Sequence, residues 1–253
     1  MEDNTGKFSG KAEVYAKYRP SYSSKFIDYL YDEVGFGKAK AIADVGAGTG
    51  KFTKLLLERN LKVYCVEPNS EMLLVAKEFL AGYTKCEYVN SPAESILLPD
   101  QSVDSITAAQ AFHWFDAERF KEECRRILRG DGKVVLVWNY RDSKAQVTVE
   151  HEKILNRYCE DFNGFSGGEK RTPADNYAYF FKDGIVECRT FQNDCLLDED
   201  AFVGKALSSS YSPRESDAHY ADFVAEMKKL FEKYSKDGYL NLPNVTQSYM
   251  GRV

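Results

Sequence analysis

One short motif in the chain combines an acid with three glycines that are each separated by a single residue. Asp44 is followed by Gly46, Gly48 and Gly50, and an apolar run from residue 41 leads into the motif. The run predicts a buried strand that ends in a glycine loop, with a helix directly after it. Glycine reaches positive φ and lets a ligand approach the main chain, while N–H groups at a helix start attract polar ligands. The motif therefore predicts a cofactor site.

The glycine spacing decides between two classes of cofactor. A dinucleotide site has the pattern Gly-x-Gly-x-x-Gly, whereas here one residue separates each glycine from the next. Asp44 would repel a diphosphate at this position, but it suits a ligand that carries an ammonium group and no phosphate. S-adenosylmethionine has that profile. An isolated triplet could equally be an ordinary strand-to-helix turn, so the reading depends on the motifs that accompany it.

A second acid follows at the end of the next predicted strand. Glu67 lies about 20 residues beyond the glycine loop, the offset at which a carboxylate binds ribose hydroxyls in nucleoside-binding α/β folds. Strand ends also commonly carry an acid that is merely solvated. The pairing of Glu67 with the glycine loop at this distance favours the ribose role.

Aromatic residues and a histidine follow a further predicted strand over residues 103–109. Phe112, His113 and Trp114 come directly after it, where open α/β sheets bind ligands. His113 is the candidate general base because histidine is the side chain whose ordinary pKa suits proton transfer near neutrality. The alternative is that it packs on Trp114 and bonds the backbone, and a carboxylate acceptor would need no base. His151 and His219 lie on predicted helices and are expected at the surface.

The elements that position these residues alternate between strand and helix. Strands are predicted over residues 41–45, 61–67, 86–89, 103–109 and 133–139. Ser70 is predicted to cap one helix between them and Asp116 to begin another, which residues 130–132 end. This alternation predicts an α/β fold with a doubly wound, mostly parallel sheet and right-handed crossovers.

The pattern changes after Tyr140. A helix with an apolar face is followed by a polar, glycine-rich loop over residues 163–171, a strand over 185–191, two more helices and a last strand over 245–250. We expect residues 1–253 to form one domain with a helical cap. Its predicted parts are a cofactor-binding core of about 35–140, a cap insert of about 141–183 and C-terminal strands and helices over about 184–253.

Composition excludes several classes of function. A net charge of −5 over 253 residues gives no basic footprint for nucleic acid or an anionic membrane. No apolar run approaches the roughly 18 residues that span a bilayer, and the polar, acidic start is unlike a signal peptide, so a soluble, cytoplasmic protein is expected. The six cysteines show no Cys-x-x-Cys pair and the three histidines do not cluster, so we expect free thiols and no metal site.

Taken together, the motifs resemble the class I S-adenosylmethionine-dependent methyltransferases. The resemblance is to the small-molecule (type 11) group, which includes the trans-aconitate methyltransferase-like and ubiquinone-biosynthesis-like enzymes. It is carried by Asp44-Val-Gly-Ala-Gly-Thr-Gly50, Glu67-Pro-Asn, Ser91-Pro-Ala-Glu94, Ser102-Val-Asp104 and Gln110-Ala-Phe-His-Trp114, in that order. The segments Tyr15-x-x-Tyr18-Arg19-Pro20 and Ser208-Ser-Ser-Tyr211-Ser-Pro213 resemble the same group.

The resemblance implies a role for each matching residue. The glycine loop and Asp44 would hold the methionine part of the cofactor, Glu67 the ribose, and Gln110 would lie beside the sulfonium. Tyr15 and Arg19 would cover the cofactor as a lid. The implied cofactor-binding residues are Tyr15, Arg19, Asp44, Gly46, Ala47, Gly48, Gly50, Glu67, Pro68, Asn69, Met72, Ala93, Glu94 and Gln110. The family also implies a Rossmann-like seven-stranded sheet of order 3-2-1-4-5-7-6, with the last strand antiparallel.

The acceptor is expected to be a small molecule bound under the cap. Its predicted contacts are Phe112, His113, Trp114, Trp138 and Tyr211, and Arg141 and Arg171 either orient an anionic acceptor or are simply solvated. Methylation of a hydroxyl or a carboxyl is favoured. One alternative is an NAD(P)-dependent oxidoreductase, although the glycine spacing opposes it. The other is a non-catalytic protein that binds S-adenosylmethionine.

Overall fold

A seven-stranded sheet organises the part of the chain that is described. The computed structural model describes residues 21–165, 174–209 and 211–253, with only the backbone of residues 174–176. The strand order is β3-β2-β1-β4-β5-β9-β6, and β9 is antiparallel to both neighbours. The strands are β1 Ile42–Val45, β2 Val63–Val66, β3 Cys86–Val89, β4 Val103–Ala109, β5 Leu128–Arg141, β6 Glu187–Gln192 and β9 Asn244–Gly251. The predicted fold class and sheet order are confirmed.

Helices cover both faces of this sheet and form the cap. They are α1 Ser24–Asp32, α2 Lys51–Leu57, α3 Ser70–Phe79, α4 Ala117–Ile127, α5 Gln146–Tyr158, α6 Glu199–Leu207 and α7 Tyr220–Tyr234. Short 3-10 turns occupy Phe36–Lys38, Phe112–Trp114, Ala174–Phe180 and Lys182–Gly184. Strands β7 Cys195–Leu197 and β8 Leu240–Leu242 form a separate two-stranded sheet that the sequence did not predict. No helix in the described ranges is long and apolar enough to cross a bilayer.

Side-chain caps fix where several helices begin. Asp116 accepts a hydrogen bond from the N–H of Arg119 at the start of α4, as the sequence predicted. The prediction for α3 is wrong by one residue, because its cap is Asn69 and Ser70 is its first helical residue. The Asn69 side chain accepts from the N–H of Met72 at 3.0 Å. An amide oxygen at the cap satisfies a backbone donor that the helix leaves open.

Strand β5 is longer than the sequence predicted. It begins at Leu128, directly after α4, and includes the glycine-rich stretch 130–132 that was expected to separate the two elements. Its register against β4 shifts between Val103 and Ser105. At Gly132 an added Cβ would lie 2.8 Å from the carbonyl oxygen of Asp104, so the close approach of the two strands requires glycine there.

Two apolar layers enclose the sheet. On β5, Leu136 and Trp138 face the layer beneath α4, while Val135 and Val137 face the layer under α1 and α2. All four residues of β1 are buried, as expected for a central parallel strand that is covered on both faces. Strand β1 therefore runs through the middle of the core and places Asp44 just before the glycine loop.

The cap has its own apolar cluster, formed by α5, α6, α7 and β8. Phe202 of α6 and Phe223 of α7 are fully buried in it. Tyr177 and Phe180, which fall in the predicted cap insert of 141–183, instead pack against the sheet below α4. The packing thus joins α5 to the C-terminal helices, because these elements bury one another's apolar faces.

Candidate functional site

The glycine loop has the left-handed backbone that its sequence predicted. Its three glycines have φ of 68°, 57° and 81°. A Cβ added at Gly46 would lie 2.5 Å from the Cβ of Ala111 and 3.0 Å from the ring of Phe115, so the loop contacts the segment that follows β4. Among the described residues, a Cβ at Gly48 would meet only Met72, at an ordinary contact distance of 3.8 Å. The described structure is therefore crowded at Gly46 and less crowded at Gly48, where a ligand can approach the main chain.

Glu67 joins the glycine loop to the start of α3. One carboxylate oxygen accepts from the N–H of Gly48 and the other from the N–H of Asn69, both at 2.9 Å. Burial raises the pKa of Glu67, and these two backbone donors lower it. A carboxylate offers about four lone-pair sites, so this one keeps acceptor capacity for hydroxyl groups of a ligand.

Asp44 is buried beneath the glycine loop, which differs from the ligand contact that the sequence predicted. Its side chain is 1% exposed and accepts hydrogen bonds from the hydroxyls of Thr53 at 2.6 Å and Thr107 at 2.8 Å. Burial raises its pKa to about 6, against the lowering effect of the two hydroxyls. The carboxylate therefore ties α2 and β4 together beneath the loop and presents almost no surface to a ligand. A direct contact between Asp44 and the methionine part of a cofactor stays a prediction.

The start of α3 provides one wall beside the open side of the loop. Asn69 uses its side-chain oxygen as the helix cap, and Met72 extends its methyl group toward Gly48. Asn90 donates to the carbonyl oxygens of both Glu67 and Pro68 at 2.9 Å, and so fixes the turn between β2 and α3. Sequence reasoning missed Asn90, since nothing in the sequence links it to a turn 22 residues earlier. The adenine contacts implied for Asn69 and Met72 stay predictions.

Two further implied cofactor residues follow β3. Ala93 is buried, while the carboxylate of Glu94 accepts from the backbone N–H of Asp116 at 2.8 Å. This bond connects the segment after β3 to the beginning of α4. Glu94 is thus held in place by the residue that caps the helix next to the aromatic segment, and its predicted position beside an adenine is untested.

Gln110 ends β4 in a strained backbone conformation. Its φ is 56°, uncommon for a residue other than glycine. Its side-chain amide donates to the carbonyl oxygen of Asn139 at 3.2 Å, and its backbone N–H donates to Val137 at 2.8 Å. Strain of this kind concentrates at functional sites where the surroundings impose it. The structure therefore places Gln110 at the carboxyl edge that also carries the glycine loop.

The aromatic segment after β4 divides into buried and exposed parts. Phe112 is buried against other aromatic rings, including Phe180 at 4.7 Å between centroids. His113 and Trp114 are exposed, with their ring centroids 4.8 Å apart. Trp138 is fully buried and stacks on Tyr177, so it belongs to the core layer below α4. The exposed cluster consists of His113 and Trp114, and the acceptor roles of all these residues stay predictions.

The prediction that His151 lies at the surface is wrong, whereas His219 is exposed as expected. His151 is 2% exposed because the aromatic rings of Phe165 and Phe202 cover it, each with its centroid 5.4 Å away. Its Nδ1 lies 2.8 Å from a guanidinium nitrogen of Arg141. His151 lies four residues from both Val147 and Leu155, on the buried face of α5, so the helical period carried a signal that the prediction for His151 did not use.

The remaining predicted residues lie elsewhere or outside the described ranges. Tyr211 packs on Phe162 in the cap, with ring centroids 5.0 Å apart. Tyr15, Arg19 and Arg171 lie outside the described residues.

Polar side chains at the sheet edge hold the chain where it enters the described structure. Asn139 and Asn193 donate to the carbonyl oxygen of Ser21, and the backbone N–H of Ser23 donates to the hydroxyl of Thr246 at 3.1 Å. Asn139 is also the residue whose carbonyl oxygen accepts from Gln110. Ser21 is therefore held by the residue that also bonds Gln110.

Comparison with known proteins gives consistent results. Residues 43–136 match the family model described as a methyltransferase domain. An uncharacterized methyltransferase of Mycobacterium bovis is 39% identical over 155 residues, which cover 61% of this chain and 61% of that protein. The match thus spans less than two thirds of the length of this curated relative.

Solved structures share the fold. A structure described as a type II methyltransferase from Anaeromyxobacter dehalogenans has a TM-score of 0.67 at 24% identity, covering 93% of this chain and 98% of that one. An S-adenosylmethionine-dependent methyltransferase from Aquifex aeolicus has a TM-score of 0.52 at 17% identity, covering 95% and 97%. Residues 43–136 therefore match the methyltransferase-domain family model, and the sheet has the Rossmann-like methyltransferase fold.

Proposed function

We propose that this chain is an S-adenosylmethionine-dependent methyltransferase that acts on a small-molecule acceptor. The observation that carries the proposal is the bridge made by Glu67 between the N–H groups of Gly48 and Asn69. The bridge places a carboxylate with spare acceptor capacity beside Gly48, the least crowded glycine of the loop in the described structure. This arrangement fits a nucleoside whose ribose hydroxyls donate to Glu67.

The residues around Glu67 fit the rest of that cofactor. Apolar side chains of Met72 and Ala93 suit the adenine ring, and Gln110 lies at the end of β4 on the same edge. The family match and the description of the Aquifex aeolicus structure support the same cofactor. Tyr15 and Arg19 would complete the site as a lid, as the resemblance implies.

The bound cofactor would supply a methyl group on a positively charged sulfur. In-line transfer requires the protein mainly to align the acceptor and to exclude water. We assign the alignment of the acceptor to His113 and Trp114. These two exposed residues follow Gln110 in the segment after β4. For a hydroxyl acceptor, His113 would take the proton that the acceptor loses, whereas a carboxylate acceptor has none to lose. Methylation of a hydroxyl or carboxyl oxygen is the favoured reaction.

Titration calorimetry with S-adenosylhomocysteine and with NAD tests the cofactor. We expect S-adenosylhomocysteine to bind and NAD to give no heat. Glu67→Ala should remove most of the stabilisation that the ligand confers by mass action. Glu87→Ala is the matched control, because Glu87 lies on the neighbouring strand in an exposed ion pair with Lys62. Binding of NAD alone would overturn the proposal in favour of an oxidoreductase, and an unaffected Glu67→Ala would remove the ribose contact.

Methyl transfer from labelled S-adenosylmethionine to a library of small acceptors tests catalysis. We expect turnover with at least one compound that carries a hydroxyl or carboxyl group. Tight S-adenosylhomocysteine binding without turnover on any class of acceptor would instead indicate a non-catalytic binding protein.

A further inference from the structure

Four polar side chains meet between the end of β5 and the helices of the cap. Arg141 ends β5, Thr148 and His151 lie one helical turn apart on α5, and Lys205 lies on α6. Thr148, His151 and Lys205 are all at least nine-tenths buried. The guanidinium of Arg141 also lies over the ring of Phe165, 3.9 Å from its centroid. We call these four residues the cap cluster.

The bond between Arg141 and His151 fixes the tautomer of the histidine. A guanidinium can only donate, so the Nδ1 atom that lies 2.8 Å from it must accept. The ring proton of a neutral His151 is therefore on Nε2. Burial, followed by the charges of Arg141 and Lys205, lowers the pKa of His151 well below its usual value, so the ring is neutral. His151 accordingly offers a fixed N–H donor inside the cap.

The His151 N–H donor and the neighbouring hydroxyl of Thr148 have no hydrogen-bond partner in the described structure. The Nε2 atom of His151 and the hydroxyl of Thr148 are both buried and have no hydrogen-bond partner among the described residues. Residues three apart on a helix are neighbours on one face, so the two unsatisfied groups lie on the same side of α5. Buried polar groups are nearly always satisfied, and each exception calls for an explanation such as a missing ligand.

We propose that the cap cluster is the subsite that binds an oxyanion of the acceptor, a carboxylate or a phosphate, through the His151 Nε2–H and the Thr148 hydroxyl under the positive charges of Arg141 and Lys205. The proposal rests on the proposed function, because it names a chemical feature of the acceptor. Donors from an imidazole and a hydroxyl, reinforced by nearby cations, match an oxygen anion and would leave a cationic ligand without acceptors. Arg141 lies at the carboxyl edge of the sheet, so an acceptor held here extends toward the edge that carries Gln110.

Separate probes distinguish a carboxylate from a phosphate as the bound anion. Glutarate presents carboxylates, inorganic phosphate presents a phosphate, and glutaramide has the shape of glutarate without its charge. Because the chain has three histidines, spectra of protein labelled with 15N-histidine report on His151 with little overlap. The measurement is made on the complex with S-adenosylhomocysteine, so that binding of the cofactor analogue is checked in each sample.

We expect the His151 Nε2–H signal to move on addition of glutarate or phosphate and to be unaffected by glutaramide. Lys205→Met should weaken binding of the active anion by about tenfold, the loss of one charge-assisted contact. Arg157→Gln is the matched control, since Arg157 is exposed on the outer side of the same helix. Its affinity for the anion should equal that of the unmodified protein.

The wild-type spectra decide the proposal even if Lys205→Met fails to fold. An anion that moves only the signals of His113 and His219, or an equal response to glutaramide, would overturn the subsite. A protein that binds S-adenosylhomocysteine normally but shows no response at His151 also overturns it and leaves the proposed function intact. Absence of S-adenosylhomocysteine binding, by contrast, counts against the proposed function itself.

Discussion

The glycine-loop edge and the cap cluster are both buried and polar, but they differ in how their polar groups are satisfied. At the glycine-loop edge, Glu67 has a backbone donor on each oxygen and Asp44 has a hydroxyl on each. In the cap cluster, His151 and Thr148 are left with unsatisfied groups in the described structure. The first region is therefore complete as folded, whereas the second has donors without acceptors.

This difference indicates how each region would bind its ligand. At the glycine-loop edge, the carboxylates already have hydrogen-bond partners and the loop is preorganised. A ligand therefore adds contacts there without rearranging the loop. Unsatisfied buried donors carry a cost of roughly 1–3 kcal/mol each, which a ligand that accepts from them would relieve. Variants in the first region should therefore alter stability and cofactor binding together. Variants at the exposed aromatic pair should alter acceptor use alone.

The largest effect is expected from Gly46→Ala. The new Cβ would meet Ala111 at 2.5 Å, and φ is 68°. Left-handed backbone costs roughly 1–2 kcal/mol and overpacking roughly 1–3 kcal/mol, so unfolding should become easier by about 2–5 kcal/mol. Gly130→Ala is the control, since Gly130 has φ of 48° and no atom of the described residues would lie within 4 Å of the new Cβ, so it should cost only the backbone strain. Urea unfolding of the two variants measures the difference, and equal losses would show that Gly46 is not closed by Ala111.

Asp44→Asn should change how stability depends on pH. The pKa of Asp44 in the folded protein is about 6, above its ordinary value of 3.8, so the folded state holds this proton more tightly than the unfolded state. The resulting stabilisation is complete below pH 3.8 and is lost as the pH rises through about 6. Asparagine keeps the shape and cannot ionise. Between pH 4 and 7 the free energy of unfolding of the variant should therefore rise by about 2 kcal/mol relative to that of the unmodified chain.

Urea unfolding of both proteins at several pH values within that range measures the gain. Other acids contribute equally to both curves, so the difference between the curves isolates Asp44. Parallel curves would mean that Asp44 is not buried as described, and the satisfied state of the glycine-loop edge would then need another explanation.

Much of the fold was predictable because its signals are local. The apolar runs of β1 and β5 and the glycines after Asp44 each lie within about ten residues. The same holds for the ends of β2 and β4, where ligands bind in open sheets. These local signals therefore predicted the parallel sheet and the residues at its carboxyl edge, whereas the strand order was implied by the family resemblance.

The features that were missed depend on distant contacts. His151 is buried by Phe165 and Phe202, and Trp138 by Tyr177, none of which a helical or strand period reveals. The pairing of β7 with β8 joins residues more than 40 apart. Such contacts are fixed by packing of the whole chain, so the cap cluster could be found only in the structure.

Asn69→Ala should give a smaller effect that separates capping from binding. Loss of an N-cap costs about 1 kcal/mol. Asp198→Ala removes the equivalent cap of α6, where Asp198 accepts from the N–H of Ala201 at 2.8 Å. Both variants should lose similar stability by thermal unfolding, but only Asn69→Ala should weaken binding of S-adenosylhomocysteine. Equal binding by both variants would show that the start of α3 makes no contact with the ligand.

The smallest effect on stability and cofactor affinity is expected from Trp114→Ala. Trp114 is 41% exposed and lies in the chain between Ala111 and Phe115, the two residues that come nearest to Gly46. We expect turnover on an acceptor to fall at least about tenfold, while S-adenosylhomocysteine affinity stays within about threefold, under about 1 kcal/mol. Leu97→Ala removes another exposed apolar side chain, 72% exposed, and should leave both measurements unchanged. If Trp114→Ala instead weakened binding of both the cofactor and the acceptor, His113 and Trp114 would belong to the cofactor site. The acceptor would then bind to other residues at the carboxyl edge of the sheet.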